Sequence, residues 1–222
     1  MKLSELTIEI LKNFATLNQS LQFRKGSELT TITTGKTILA KARVAESFPF
    51  DFALYDLNKL LAKLSLYRDA ELEFEQDRVV FKSADKRRTD YIIYSSPKVI
   101  TAPDPNKVIA LDDPEHEFLL SAEDLNWQRK SAGISASPYM IFHGDGKNVY
   151  IRSTDVKDGS SDLSSTEIAK TKSKFTYVIK IENWKFLDGS YRVKLRKGLS
   201  KFENTEKPVE YYVAIEDNLS TY

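Results

Sequence analysis

Apolar positions recur with helical spacing near the start of the chain. Leu6, Ile10, Phe14 and Leu17 fall at i, i+4, i+8 and i+11 within residues 4–17, the stripe of a helix that buries one face. Residues 121–133 predict a second such helix. Shorter helical stretches are expected where Leu57, Leu60, Leu61 and Leu64 share a face, and at Asn183-Trp-Lys-Phe186. Ser4 and Asp56 stand where N-caps belong, and Ser121 with Asp124 three residues on resembles a capping box. Elsewhere the period changes to two, as in Glu71-Leu-Glu-Phe-Glu75 and Tyr191-Arg-Val-Lys-Leu195, which predicts half-buried strands. Strands are expected over 70–76, 78–83, 88–94, 190–197, 199–205 and 209–216. Thr34-Gly-Lys36, Asp145-Gly-Lys147 and Asp188-Gly-Ser190 are turn signals between such runs. Nothing reads as repeated βαβ units. The expected class is α+β, with antiparallel sheet and a few helices on one face.

The order of elements repeats. Each half opens with a long helix, runs through strands to a polar cap and a short helix, and ends in more strands. Phe52-Ala-Leu-Tyr-Asp-Leu-Asn58 and Tyr177-Val-Ile-Lys-Ile-Glu-Asn183 are the matching approaches, with Asn58 and Asn183 in register; internal duplication explains the shared order. Pro97, Pro103, Pro105 and Pro114 are four of the seven prolines. They break helix and weaken strand pairing over one mid-chain stretch. The stretch reads as an extended connector between two domains, or as a long surface loop within one. The two-domain reading gives 1–95 and 117–222, joined by 96–116, and 222 residues suffice for either arrangement.

Composition narrows the chemistry. The chain has no cysteine and two histidines, His116 and His143, so a disulfide framework, a cysteine nucleophile and a multi-histidine metal site within one chain are excluded. Thr33-Thr-Gly-Lys-Thr37 lacks the first glycine of a phosphate-binding loop, since that position is Thr30. His143-Gly-Asp-Gly-Lys147 lacks alternating acidic ligands and reads as a hairpin. His116, between Glu115 and Glu117, reads as a solvated connector residue. No Gly-x-Ser-x-Gly turn is present. No catalysis, metal or cofactor is expected. Charged residues interrupt every apolar run before it reaches membrane-spanning length, so a soluble, intracellular protein without a membrane partner is expected.

Net charge is +1, from 33 Lys+Arg against 32 Asp+Glu, which gives no reason by itself to invoke nucleic acid. The distribution is more telling. Lys59 and Lys63 lie opposite the leucines of their helix, Arg129 and Lys130 belong to the third helix, Lys185 to the expected fourth, and Lys12 to the first beside Glu9. Acids gather in strand 71–77, at Asp104, Asp112, Asp113 and Glu115, and in loop 155–162. Such lysines either solubilise a helix or face a polyanion, and spacing alone leaves both open.

Several segments carry a resemblance. Met1-Lys-Leu-Ser with Leu11-Lys-Asn-Phe-Ala-Thr16, Tyr55-Asp-Leu-Asn58 with its leucine-rich helix, Ser121-Ala-Glu-Asp-Leu125, and Tyr211-Tyr-Val-Ala-Ile-Glu216 with Ser220-Thr221 are similar to the sliding clamps of large tailed phages. These matches span both halves and both termini. Asn126-Trp-Gln-Arg-Lys130 is more polar than the family's third helix. The resemblance implies a two-domain clamp fold in a homotrimeric ring, with antiparallel sheets outside and helices lining a hole around duplex DNA. Lys12, Lys59, Lys63, Arg129, Lys130 and Lys185 would then face phosphates without reading bases. The subunit interface would join edge strands, with Arg88, Tyr91, Ile92 and Ile93 of one chain against Thr166 and Ile168 of the next. Family members tether a replicative DNA polymerase and are loaded by an ATP-driven clamp loader, in the cytoplasm of the infected host. Transcription factors are left open as further partners. Partners insert a short apolar C-terminal peptide into a groove near the connector, which Val99, Ile100, Val108, Ile109 and Tyr222 would border. The alternatives are a β-rich oligomeric virion component that does not touch DNA, and a hydrolase built on a carboxylate pair.

Overall fold

The computed structural model describes residues 1–67, 69–107 and 109–222. They divide into two compact units, Met1–Lys107 and Val108–Tyr222.

The first unit opens with helix α1 (Glu5–Leu17) and continues through β1 (Leu21–Phe23), β2 (Gly26–Ile32), β3 (Ile38–Phe48) and β4 (Phe52–Leu54). Helix α2 (Leu57–Ser65) leads to β5 (Glu71–Phe74), β6 (Arg78–Lys82) and β7 (Thr89–Ile93). All pairings are antiparallel: β1 with β4, β2 with β3 across the Gly35 turn, and β5-β6-β7 in a meander with β7 at its edge. Both helices start at the expected caps, with Ser4 Oγ accepting from Thr7 N at 3.2 Å and Asp56 Oδ1 from Lys59 N at 3.1 Å. Ile10, Leu11 and Phe14 of α1 are wholly buried, as are Leu57 of α2 and the Phe23, Phe48 and Phe52 rings beneath. Thr7 is buried too, because its hydroxyl donates to Glu46 on β3 at 2.5 Å. Burial pushes the Glu46 carboxyl up, but hydrogen bonds from Thr7 and Ser4 outweigh it and hold the group below its ordinary value.

Among its described residues the proline-rich stretch forms one 3-10 turn, Pro97–Val99. The second unit then forms β8 (His116–Leu120), α3 (Ala122–Ile134), β9 (Tyr139–Asp145), β10 (Asn148–Thr154), β11 (Ser164–Lys170) and β12 (Lys174–Lys180). Strands β13 (Tyr191–Arg196), β14 (Leu199–Asn204) and β15 (Val209–Ala214) follow. One sheet runs β11-β10-β9-β12, and β8-β13-β14-β15 run side by side, again all antiparallel. Ser121 Oγ accepts from Asp124 N at 3.0 Å, which makes the expected cap of α3. Rings of Phe118, Phe142, Trp184, Phe186 and Phe202 interlock in the core at centroid distances of 4.5–5.7 Å.

Two expectations need correction. The fourth helix is one 3-10 turn, Ile181–Asn183. Trp184 leaves the helical region, Arg129 of α3 takes the carbonyls of Trp184 and Phe186, and Leu187 N donates to the Tyr211 hydroxyl, so the backbone groups a helix would pair internally are held by other elements. His116 begins β8 rather than lying in solvent. Its ring stacks on Phe175 at 3.9 Å, and burial lowers its pKa against the opposing charge of Glu115.

Candidate nucleic-acid interface

On α1 the solvent side carries Glu5, Lys12 and Thr16, so Lys12 stands on a mixed face. Helix α2 shows more cation. Lys59 is exposed, while Lys63 is folded back, its Nζ donating to Asp90 Oδ1 on β7 at 2.5 Å. Tyr67 donates to the other oxygen of Asp90 at 2.8 Å. The Lys63 and Tyr67 hydrogen bonds hold the Asp90 carboxyl below its ordinary value. Lys63 therefore clamps α2 to β7 as much as it presents charge.

Arg129 departs further from the expectation. Its guanidinium donates to the carbonyls of Trp184 at 3.1 Å and Phe186 at 3.2 Å, and lies 3.5 Å from Asp188. Burial lowers its pKa. It acts as a strut between α3 and the segment that replaces the fourth helix, not as a surface cation. The outward face of α3 carries Glu123, Trp127, Lys130 and Ile134, with Trp127 65% and Ile134 87% exposed. That leaves Lys130 as its exposed cation. Lys185 is exposed just beyond the 3-10 turn. Among the described residues Lys12, Lys59 and Lys130 have no carboxylate partner.

The expected contact strands are both sheet edges. On β7, Tyr91 and Ile93 point outward at 52% and 62% exposure, whereas Ile92 is buried, as period two requires. Arg88 stands just before the strand. On β11, Thr166 is tied to α3 by a hydrogen bond from the buried Gln128 at 2.8 Å, and Ile168 sits at a register break opposite Val149 and Tyr150. Bulges and short strands of this kind discourage indiscriminate edge pairing. Of the expected peptide groove, Val99 is 61% exposed, Ile100 and Ile109 are half-buried, and Val108 lies outside the described residues. Tyr222 lies against Tyr177 of β12 at a centroid distance of 5.2 Å, and the Tyr177 hydroxyl donates to Glu115 of the connector at 2.5 Å. Sequence reasoning missed Asp90, Trp127 and the course of residues 216–222; the first two are single positions without any periodic signal.

The chain is 34% identical to the sliding clamp of Escherichia phage RB69, over 97% of each chain. It belongs to the sliding clamp family. The sliding clamp of Enterobacteria phage T4 is 32% identical, again over 97% of both, and residues 2–101 match the DNA polymerase processivity factor family. The proliferating cell nuclear antigen of Entamoeba histolytica superposes with a TM-score of 0.71 over 97% of each chain at 11% identity, which shows the α+β clamp fold. The clamp is thus a DNA polymerase processivity factor by family, and the virion-component alternative finds no support. No helix among the described residues is long and apolar enough to cross a membrane.

Proposed function

We propose that three copies of this chain close into a ring around duplex DNA and tether a replicative polymerase without themselves catalysing a reaction. Domains 1–95 and 117–222 would be its repeating parts and 96–116 the connector; the unit boundary at 107/108 falls inside that connector, which supports the division. The end-to-end match to a phage sliding clamp carries the reading. Two further features support it. Among its sheet edges each unit offers an antiparallel strand, β7 in the first and β11 in the second, suited to strand addition between subunits. Trp127 and Ile134, on the helix packed beside β11, give the same contact apolar area. Lys12, Lys59, Lys130 and Lys185 supply sequence-independent phosphate contacts, while Lys63 and Arg129 hold the helices that carry them. An ATP-driven loader would open the ring, in the cytoplasm of an infected cell.

The test is primer extension on singly primed circular DNA by the cognate polymerase, with loader and ATP. The chain is expected to lengthen products from single binding events severalfold. Unchanged product length with an active loader would overturn the tether.

A further inference from the structure

Apolar burial holds strand β7 only weakly. Of its five residues Ile92 alone is buried, and Thr89, Tyr91 and Ile93 are exposed. A short edge strand with one apolar anchor belongs to the low-stability end of a fold, where segments open locally. Asp90 supplies a second anchor. It shares the inward face of β7 with Ile92, because side chains alternate along a strand, and it pairs opposite the fully buried Phe81 of β6. Both oxygens of its carboxylate are gripped from α2 and its end. Lys63 Nζ donates to Oδ1 at 2.5 Å, and the Tyr67 hydroxyl donates to Oδ2 at 2.8 Å.

The spacing of the two donors explains the grip. Residues four apart share one side of a helix. The winding runs on past α2, with Leu66 N donating to Lys63 O at 3.1 Å and Tyr67 N to Leu64 O at 3.2 Å, which carries Tyr67 to the side of Lys63. The Tyr67 ring then stacks near Phe81 at a centroid distance of 6.4 Å, beside the carboxylate. Lys63 keeps 22% and Asp90 40% of its side chain exposed, so solvent weakens the pair. Both hydrogen bonds are charge-assisted, which strengthens them. On the outward face Arg78 lies 5.1 Å from the Tyr91 ring centre, but Arg78 belongs to the neighbouring strand β6. Asp90 ties the edge to a different element.

We infer that Asp90 is a positioning residue for subunit assembly, latching β7 to α2 through Lys63 and Tyr67 so that the edge is formed before a partner chain arrives. This rests on the clamp reading, which places β7 at the subunit contact. Asp90 faces away from the exposed Tyr91 and Ile93, so it acts through the strand and not across the contact. An unlatched strand is ordered only at the moment of association. Apparent subunit affinity then falls by the fraction of chains whose edge is formed. Opening β7 in nine chains of ten lowers that affinity about tenfold.

The experiment compares the full-length parent with Asp90→Ala, Tyr67→Phe and the double variant. Sedimentation over a dilution series reads subunit affinity, and hydrogen exchange at high dilution reads β7 in single chains. Asp90→Ala is expected to weaken assembly about tenfold. Protection of the β7 amides bonded to β6 should fall by a similar factor, while the amides of α1 keep theirs. Tyr67→Phe should weaken assembly less, and adding it to Asp90→Ala should change nothing further, since both remove one contact. Lys63→Met provides the same comparison if Asp90→Ala does not fold. Unchanged assembly, unchanged β7 protection, or protection lost equally from α1 overturns the latch. A parent that assembles alongside equally assembled variants removes the latch alone. A parent that stays a single chain at every concentration removes the ring reading with it.

Discussion

At the scale of single residues, burial decides what a polar side chain is for. Lys130 and Arg129 are neighbours in sequence, yet one is exposed and the other spans to carbonyls 55 and 57 positions away. A helical wheel separates their directions but contains no trace of those carbonyls. His116 was misread for the same reason, because its flanking glutamates suggested solvent while its ring stacks on Phe175. Burial depresses His116, and burial with the nearby Arg152 charge depresses His143, both from an ordinary value of 6.5. The unfolded chain therefore takes up protons first as pH falls through that value. This part of the stability is full above 6.5 and is lost as pH drops toward the folded-state values. The depressed aspartates, Asp90 among them, act below 3.8 and leave this window to the histidines. His116→Phe keeps a ring on Phe175 without a titrating group. Its melting temperature should fall less than the parent's between about pH 7.5 and about pH 5.5. An identical fall would show that His116 does not carry the dependence.

At the scale of elements, local chemistry was legible in the sequence and long-range capture was not. Caps at Ser4, Asp56 and Ser121, the Gly35 and Gly146 hairpins, and the strands from β5 to β7 and β13 to β15 lie where pattern places them. Those features depend on residues a few positions apart. The missing fourth helix and the tail along β12 depend on contacts that no periodicity encodes. The Trp184 and Phe186 rings pack on Phe142 of β9 and Phe202 of β14, while Arg129 and Tyr211 take the backbone groups a helix would pair internally. Strand β7 shows what edge geometry adds: period two sends Ile92 inward and leaves Tyr91 and Ile93 exposed on the edge proposed for the interface. Tyr91→Glu with Ile93→Glu places unpaired charge on that edge and leaves the core intact. Sedimentation should show the assembly replaced by single chains, with an unfolding midpoint within about 0.5 kcal/mol of the parent, as for other surface changes. Ile92→Ala should instead lower stability by about 2–4 kcal/mol. Persistence of the assembly in the double variant would remove β7 from the interface.

At the scale of the whole molecule, the near balance of 33 basic and 32 acidic residues separates two ways of holding DNA. A protein bound by charge alone needs many uncompensated cations, because each phosphate contact adds about 0.9 to the salt slope of its affinity. Among the described residues Lys12, Lys59 and Lys130 of the helices have no carboxylate partner, while Lys63 and Arg129 are spent on structure. In the proposed ring, enclosure supplies what charge does not. Retention on a closed circle should then survive salt that strips the same protein from linear DNA, where it slides off the ends. Lys12→Glu, Lys59→Glu and Lys130→Glu together should weaken the open form's salt-dependent contact with DNA and slow loading. Once loaded on a circle, the triple variant should stay as long as the parent, within about twofold, since no step of escape breaks those contacts. Gel filtration of loaded circles, before and after linearisation by a restriction enzyme, measures both. Equal loss from circles and linear DNA would mean that charge, not topology, holds the protein there.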